Sequence, residues 1–400
     1  MKKSISVGLA TVLAFFLLSG CGSGSAQSAS SGQSISIWTN FWVEVEVLQK
    51  YADQWAEATG NKATVIQTSI ELRQFAQATG VHDGPDGIFG LPNDQLANFA
   101  VAGLAEEVPD DFYRDADYVP ASVQASYVDG KRFGVPISVE TITLFYNTDK
   151  VSVPPADWDA LLRSAKAQGG IQFDATSIYY DLGFVRAFDS YIFKWENNGY
   201  RVDDIGLGNA GAIEAYRYIN RMAEEGFISP DITFDIARSA FENGETAYYI
   251  GGPWDVDAFS SAGVPFAVTV MPALNGKPFV TPVGTQVGFV STKSAKKAAV
   301  WDFYRYLMEE AMAELYETGS RIPANLGVQG QIRMDGATAS FVEQIANGEP
   351  LPSVPELGLL WGPYADNMRL MFAGIVSPED AAGYIKGQFT EAIELMHDGR

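Results

Sequence analysis

Residues 241–254, Phe-Glu-Asn-Gly-Glu-Thr-Ala-Tyr-Tyr-Ile-Gly-Gly-Pro-Trp, constrain this chain more than any other stretch. Gly244 is free to take the left-handed conformation that closes a helix, and residues 246–250 are a β-prone run, apolar apart from Thr246. Such a strand belongs in a core. Gly251 and Gly252 remove side chains where the strand ends, Pro253 pre-sets a first helical turn, and Trp254 arrives at the strand's carboxyl end. Open α/β sheets bind ligands in the crevice outside those ends, so a large flat ring there is placed to meet a ligand. The same ring would equally serve as a core plug, because Trp is well buried in most of its settings.

The remaining chain alternates strands and helices. Residues 35–38 read as a strand, a helix with Leu48, Tyr51, Ala52 and Trp55 on one face runs to Gly60, and residues 63–67 read as the next strand. This order implies a parallel sheet with a right-handed crossover. Gly84-Pro85-Asp86-Gly87 turns into a short strand at 88–89, and Asn93 and Asp94 lie in the loop that leaves it. They either hydrogen-bond a ligand or cap a helix from Gln95. Asp129-Gly130 marks a hairpin, and residues 139–146 form a strand that Glu140 interrupts. A carboxylate is costly inside such a strand, so Glu140 is expected to face a wet crevice.

Further on, a helix to Gln168, a short strand at 171–173 and a helix carrying Tyr179, Tyr180, Phe184 and Phe188 are expected, with most of these rings in a core. Residues 206–211 satisfy GxGxxG, but the polar stretch before them is no buried strand, so Asn209 is read as the N-cap of a helix ending at Gly226. Residues 294–319 read as one amphipathic helix. Residues 351–355 are extended, Leu359-Leu360-Trp361 opens a helix, and Ser377-Pro378 starts the last one.

A formal charge of −22 argues against nucleic acid or an anionic membrane surface as partner. Lys2, Lys3 and the apolar residues 5–18 read as an export signal occupying residues 1–20. The sole cysteine, Cys21, follows Leu18-Ser19-Gly20 in a pattern that resembles the lipobox of bacterial lipoproteins, which implies lipidation there. Residues 22–34 contain only Gly, Ser, Ala and Gln, making 21–34 a flexible tether. Two histidines, His82 and His397, anchor neither a triad nor a zinc site, so no metal, cofactor or catalytic group is expected.

Ala240-Phe241-x-x-Gly244-Glu245-Thr246-Ala247 followed by Gly252-Pro253-Trp254 resembles the extracellular solute-binding proteins of sugar importers, above all the maltodextrin-binding proteins. Gly84-Pro85-Asp86, Gly103-Leu104-Ala105-Glu106, Gly134-Val135-Pro136 with residues 140–147, residues 203–211 and residues 351–361 fall in the family's order. The resemblance implies a two-lobed periplasmic-binding-protein-like α/β fold, each lobe a mainly parallel sheet flanked by helices. One lobe would comprise 35–139 with 286–317, the other 140–285 with 318–400, and the hinge between them would close over ligand.

It also implies a monomeric, lipid-anchored receptor that hands an oligosaccharide to the permease of an ABC importer. The alternatives are a cell-surface glycosidase or a galacto-oligosaccharide receptor. Trp254, Trp361, Tyr179 and Trp42 would supply aromatic platforms, and Glu140, Asn93, Asp94 and Glu44 polar partners. The chain departs from the maltodextrin-binding pattern at Gly90, Ser177 and Ala365, and Trp42-Val43 replaces an Asp-Lys pair. These departures leave the glycan open among maltodextrin, cyclodextrin and galacto-oligosaccharide.

Overall fold

The computed structural model describes residues 32–81, 84–334 and 336–399. Cys21, the export signal, His82 and most of the tether lie outside the described residues. The opening elements follow the hydrophobic pattern. The helix Val45–Thr59 buries Val47, Leu48, Ala52 and Trp55 and ends at Gly60, whose φ is 75°. On either side of it, Ser34–Thr39 and Lys62–Gln67 pair in parallel, from Ser34 with Lys62 to Thr39 with Gln67.

Two sheets carry the molecule. The first has six strands, ordered Ile322–Pro323, Val135–Thr141, Val283–Val290, Gly87–Pro92, Ser34–Thr39 and Lys62–Gln67. The second has four, ordered Phe266–Thr269, Thr143–Asn147, Tyr248–Gly251 and Ile171–Gln172. Most strands in each sheet run one way, as expected of this α/β fold. The main exceptions sit inside the sheets: Val283–Val290 is antiparallel to both neighbours in the first, and Thr143–Asn147 to both in the second. Both are strands on which the chain has just arrived from the other sheet.

The expected continuous strand over 139–146 is therefore two strands. Val135–Thr141 belongs to the first sheet and Thr143–Asn147 to the second, with the fully buried Ile142 as the joint. The expected boundaries at 139/140 and 285/286 lie inside paired strands. Hydrogen bonding puts the crossings at Ile142 and ahead of Val283, and Ile322–Pro323 pairs with Ser138 and Val139 of the first sheet. The helix expected over 294–319 is likewise two, Lys297–Glu310 and Met312–Gly319. The break falls at Ala311, without Pro or Gly at the joint, and Leu307, Ala311, Met312 and Leu315 stay buried against one core.

Aromatic packing fills both cores. Trp55 meets Phe303 at 5.1 Å between ring centroids in the first, and Trp158 meets Phe184 at 4.7 Å in the second. Of the aromatic helix Ile178–Ala187, Tyr180 and Phe184 are buried as expected, while Tyr179 stays partly open. Asp86 is structural: it accepts from Ser36 N, Ser294 Oγ and Lys296 Nζ, tying the third strand's start to the helix approach at 294–296. Asn209 caps Ala210–Glu224 by accepting from Ala212 N at 2.9 Å, which accounts for the GxGxxG segment without a nucleotide.

Candidate ligand-binding cleft

Between the two sheets lies a cavity of about 210 Å³. The first sheet and the helix beside it contribute Asn93, Asp94, Glu140, Thr285 and Gln286; the other wall is Tyr179, Leu351 and Trp361. Five of the sequence-predicted residues thus meet in one place. Tyr179 is in the first turn of its helix, where Ser177, the departure noted above, accepts its backbone N–H at 3.4 Å as N-cap. Trp361 begins the helix Trp361–Phe372 and is 36% exposed. Asp94 lies in the first turn of Asn93–Val101, and burial pushes its carboxyl above the ordinary range.

Asn93 does something other than either reading of the sequence. It caps no helix, and its amide is already committed: Oδ1 accepts from Thr285 N at 3.0 Å, while Nδ2 donates to Leu351 O and Ser353 Oγ. It is a strut from the first sheet to the extended segment 351–353. Two residues outside the expected set bring free oxygens to the cavity. Thr285 Oγ1 and Gln286 Oε1 are buried without hydrogen-bond partners, and both residues line the cavity. Their signal was available, since they interrupt an apolar strand just as Glu140 does.

Arg321 is the other residue missed. Its Nε donates to Glu44 Oε1 at 2.6 Å, its Nη1 lies 3.7 Å from Glu140 Oε2, and its guanidinium stacks 4.7 Å from the Phe41 ring centroid. Glu44 was expected to reach ligand. Instead it is fully buried behind Arg321, and Gly319 leaves the space that its carboxylate fills, a Cβ there coming within 1.9 Å of Oε1. Arg321 is delivered by Ser320, which ends its helix in the left-handed region at φ 54°. Burial raises the Glu140 carboxyl, Arg321 opposes that shift, and Glu44 adds to it. Arg321 therefore holds two carboxylates near one another, with one of them at the cavity wall.

Trp254 is not part of this cavity. It sits in the turn Pro253–Asp255 at the carboxyl end of Tyr248–Gly251, 40% exposed, so the core-plug reading does not hold. Pro253 lines a neighbouring depression of about 200 Å³ together with Ser320 and Ile322, the residues flanking Arg321. Arg321 thus stands between the aromatic cavity and the turn that carries Trp254. Trp42 is 68% exposed and does not line the cavity.

Two inner surfaces, a pair of sheet crossings and a cleft of aromatic and polar groups define a two-lobed binding protein. Comparison with known proteins agrees: the family model for bacterial extracellular solute-binding proteins matches residues 50–339, and the chain belongs to that family. A galactooligosaccharide-binding protein of Bacillus subtilis is 28% identical over 429 residues, covering 100% of both chains. A maltooligosaccharide ABC transporter solute-binding lipoprotein of Streptococcus pneumoniae is 28% identical over 426 residues, covering 100% of this chain and 97% of its own. Among solved structures, the maltose-maltodextrin binding protein of Alicyclobacillus acidocaldarius is 30% identical, with a TM-score of 0.78 over 90% of this chain and 100% of that one. A cyclo/maltodextrin-binding protein complexed with maltotetraose shares the fold at a TM-score of 0.87 and 23% identity, covering 92% of this chain and 100% of that one. The family binds solutes and is not enzymatic.

Proposed function

We propose that this chain is the substrate-binding lipoprotein of an ABC importer, which captures an oligosaccharide between its lobes and delivers it to the membrane permease. It works as a monomer, held at the outer face of the cytoplasmic membrane by a lipid on Cys21. One observation carries the reading: the rings of Tyr179 and Trp361 share a cavity with the unpaired oxygens of Thr285 and Gln286 and the carboxylates of Asp94 and Glu140. A sugar ring offers apolar C–H faces to the first set and hydroxyl donors to the second. The charged groups at the cleft, Asp94, Glu140, Glu44 and Arg321, sum to a negative charge, so the glycan is neutral rather than a uronate or a phosphosugar.

The glycan class is malto-oligosaccharide or galacto-oligosaccharide, the ligands named for the two full-length relatives of equal identity. Titration calorimetry of the chain lacking residues 1–21 against a panel of both series tests the reading. Exothermic binding to a neutral oligosaccharide of one series is expected, with much weaker binding to its uronate analogue. Failure to bind any oligosaccharide, with binding to a peptide or a small ion instead, would overturn it.

A further inference from the structure

The Asp255 carboxyl is fully buried in the turn that carries Trp254, and the cavity-lining groups do not touch it. Its Oδ2 accepts from Tyr249 Oη at 3.0 Å and from Gly252 N at 3.3 Å. Its Oδ1 has no hydrogen bond, only the Arg238 guanidinium, whose Nε lies 3.3 Å away. A buried carboxylate with one oxygen so poorly served is costly, and the core around it has ample apolar material. The surrounding backbone is shaped to keep it. A Cβ on Gly251 would come within 2.2 Å of the Tyr249 ring and 2.5 Å of Asp255 Oδ2, and a Cβ on Gly252 within 2.3 Å of the Trp254 ring. The two glycines therefore have separate jobs: one admits the carboxylate together with the tyrosine that donates to it, the other lets the indole lie flat on the backbone.

We propose that Asp255 is a positioning residue for ligand capture: by gripping Gly252 N, Tyr249 and Arg238 at once, it locks the Gly252–Trp254 turn so that the indole face is presented to ligand. The binding part of this inference rests on the reading of Trp254 as a ligand platform. The locking part does not. The groups facing Asp255 are Arg238 from the helix Phe234–Glu242, Tyr249 from the strand and Tyr180 from the aromatic helix; of these, both tyrosines are held above their ordinary range, chiefly by burial. Asp255 itself is pushed up to about 6, chiefly by burial, against the opposing effects of Tyr249, Gly252 and Arg238. Above that pH the turn is held by charge-assisted bonds; below it they weaken. Because burial raises this carboxyl above its unfolded value, its stabilising contribution is present at acid pH and lost as pH rises through about 6. The charge is thus retained at neutral pH against the interest of stability, as is common for groups kept for function.

Protein labelled with fluorotryptophan, with Trp254→Phe assigning the resonance, follows the ring directly by fluorine NMR without any ligand. The Trp254 signal is expected to titrate with a midpoint near pH 6, to move up in midpoint in Arg238→Gln, and to lose the titration in Asp255→Asn. Gly252→Ala should displace it at every pH. Asp255→Asn should also weaken glycan binding by roughly tenfold at pH 7.5, without lowering the melting temperature. A Trp254 signal unmoved by both Asp255→Asn and pH would overturn the proposal. So would a displaced ring that leaves affinity unchanged while Trp254→Ala lowers it. Unchanged affinity in both variants would instead overturn the assignment of Trp254 to the ligand, and the capture role with it.

Discussion

Trp254 and Trp361 leave 40% and 36% of their surface exposed, so removing either ring should unfold nothing. Alanine at either position is expected to cost at least about 2 kcal/mol of glycan binding, some thirtyfold in affinity, with the melting temperature nearly unchanged. Calorimetry and a thermal melt on the same samples check both parts, and a large drop in melting temperature with affinity preserved would remove the ring from the site. Arg321 behaves in the opposite way. It is the ion-pair partner of a carboxylate that water does not reach, so Arg321→Ala should destabilise the fold by about 3–5 kcal/mol. Adding Glu44→Gln should recover much of that loss, which a double-mutant cycle by denaturant unfolding measures. Glu140 was legible because a charge breaks an apolar strand, and the same rule applied to 285 and 286 would have found Thr285 and Gln286. Arg321 was not legible: its partner Glu44 lies 277 positions away, and no local pattern marks a residue whose role is set by a distant carboxylate.

At the scale of elements, the short periodic pieces were readable and the long ones were not. The hairpin at Asp129-Gly130 forms with φ of 48° and 76°, and Gly244 closes its helix at φ 69°, because turn chemistry is local. The breaks at Ile142 and Ala311 answer to tertiary packing, and neither residue carries a breaker signal. Gly90 joins both kinds of information. It has φ of 98°, and a Cβ there would sit 2.8 Å from the Phe41 ring, the same ring on which Arg321 stacks. At this departure from the maltodextrin-binding pattern the strand therefore has no room for any side chain. Gly90→Ala is expected to cost roughly 2 kcal/mol or more of stability, from the left-handed backbone and the clash together, and to weaken glycan binding by disturbing Phe41 and Arg321. Wild-type stability in a denaturant melt of Gly90→Ala would show that Phe41 yields freely.

For the whole molecule, the cleft cavity of about 210 Å³ is small beside the ~300–1,000 Å³ of ordinary small-molecule sites. On the proposed function the lobes are expected to part to admit an oligosaccharide and close again over it, turning on the crossings at Ile142 and ahead of Val283, with Asn93 holding 351–353 through its two donated hydrogen bonds. Small-angle scattering should show a smaller radius of gyration at saturating ligand than without it, and an unchanged value would mean a rigid cleft. The reversed strand Val283–Val290 has a second consequence, for the order in which the chain matures. It lies in the middle of the first sheet, between Val135–Thr141 and Gly87–Pro92, yet it is made only after the whole second sheet has been synthesised. Until residue 290 emerges, the early strands have no partner to join them across the gap, and pairings of such long sequence separation form slowly. The first sheet is therefore expected to stay incomplete through most of synthesis, a state in which an extracellular protein can still be threaded across a membrane.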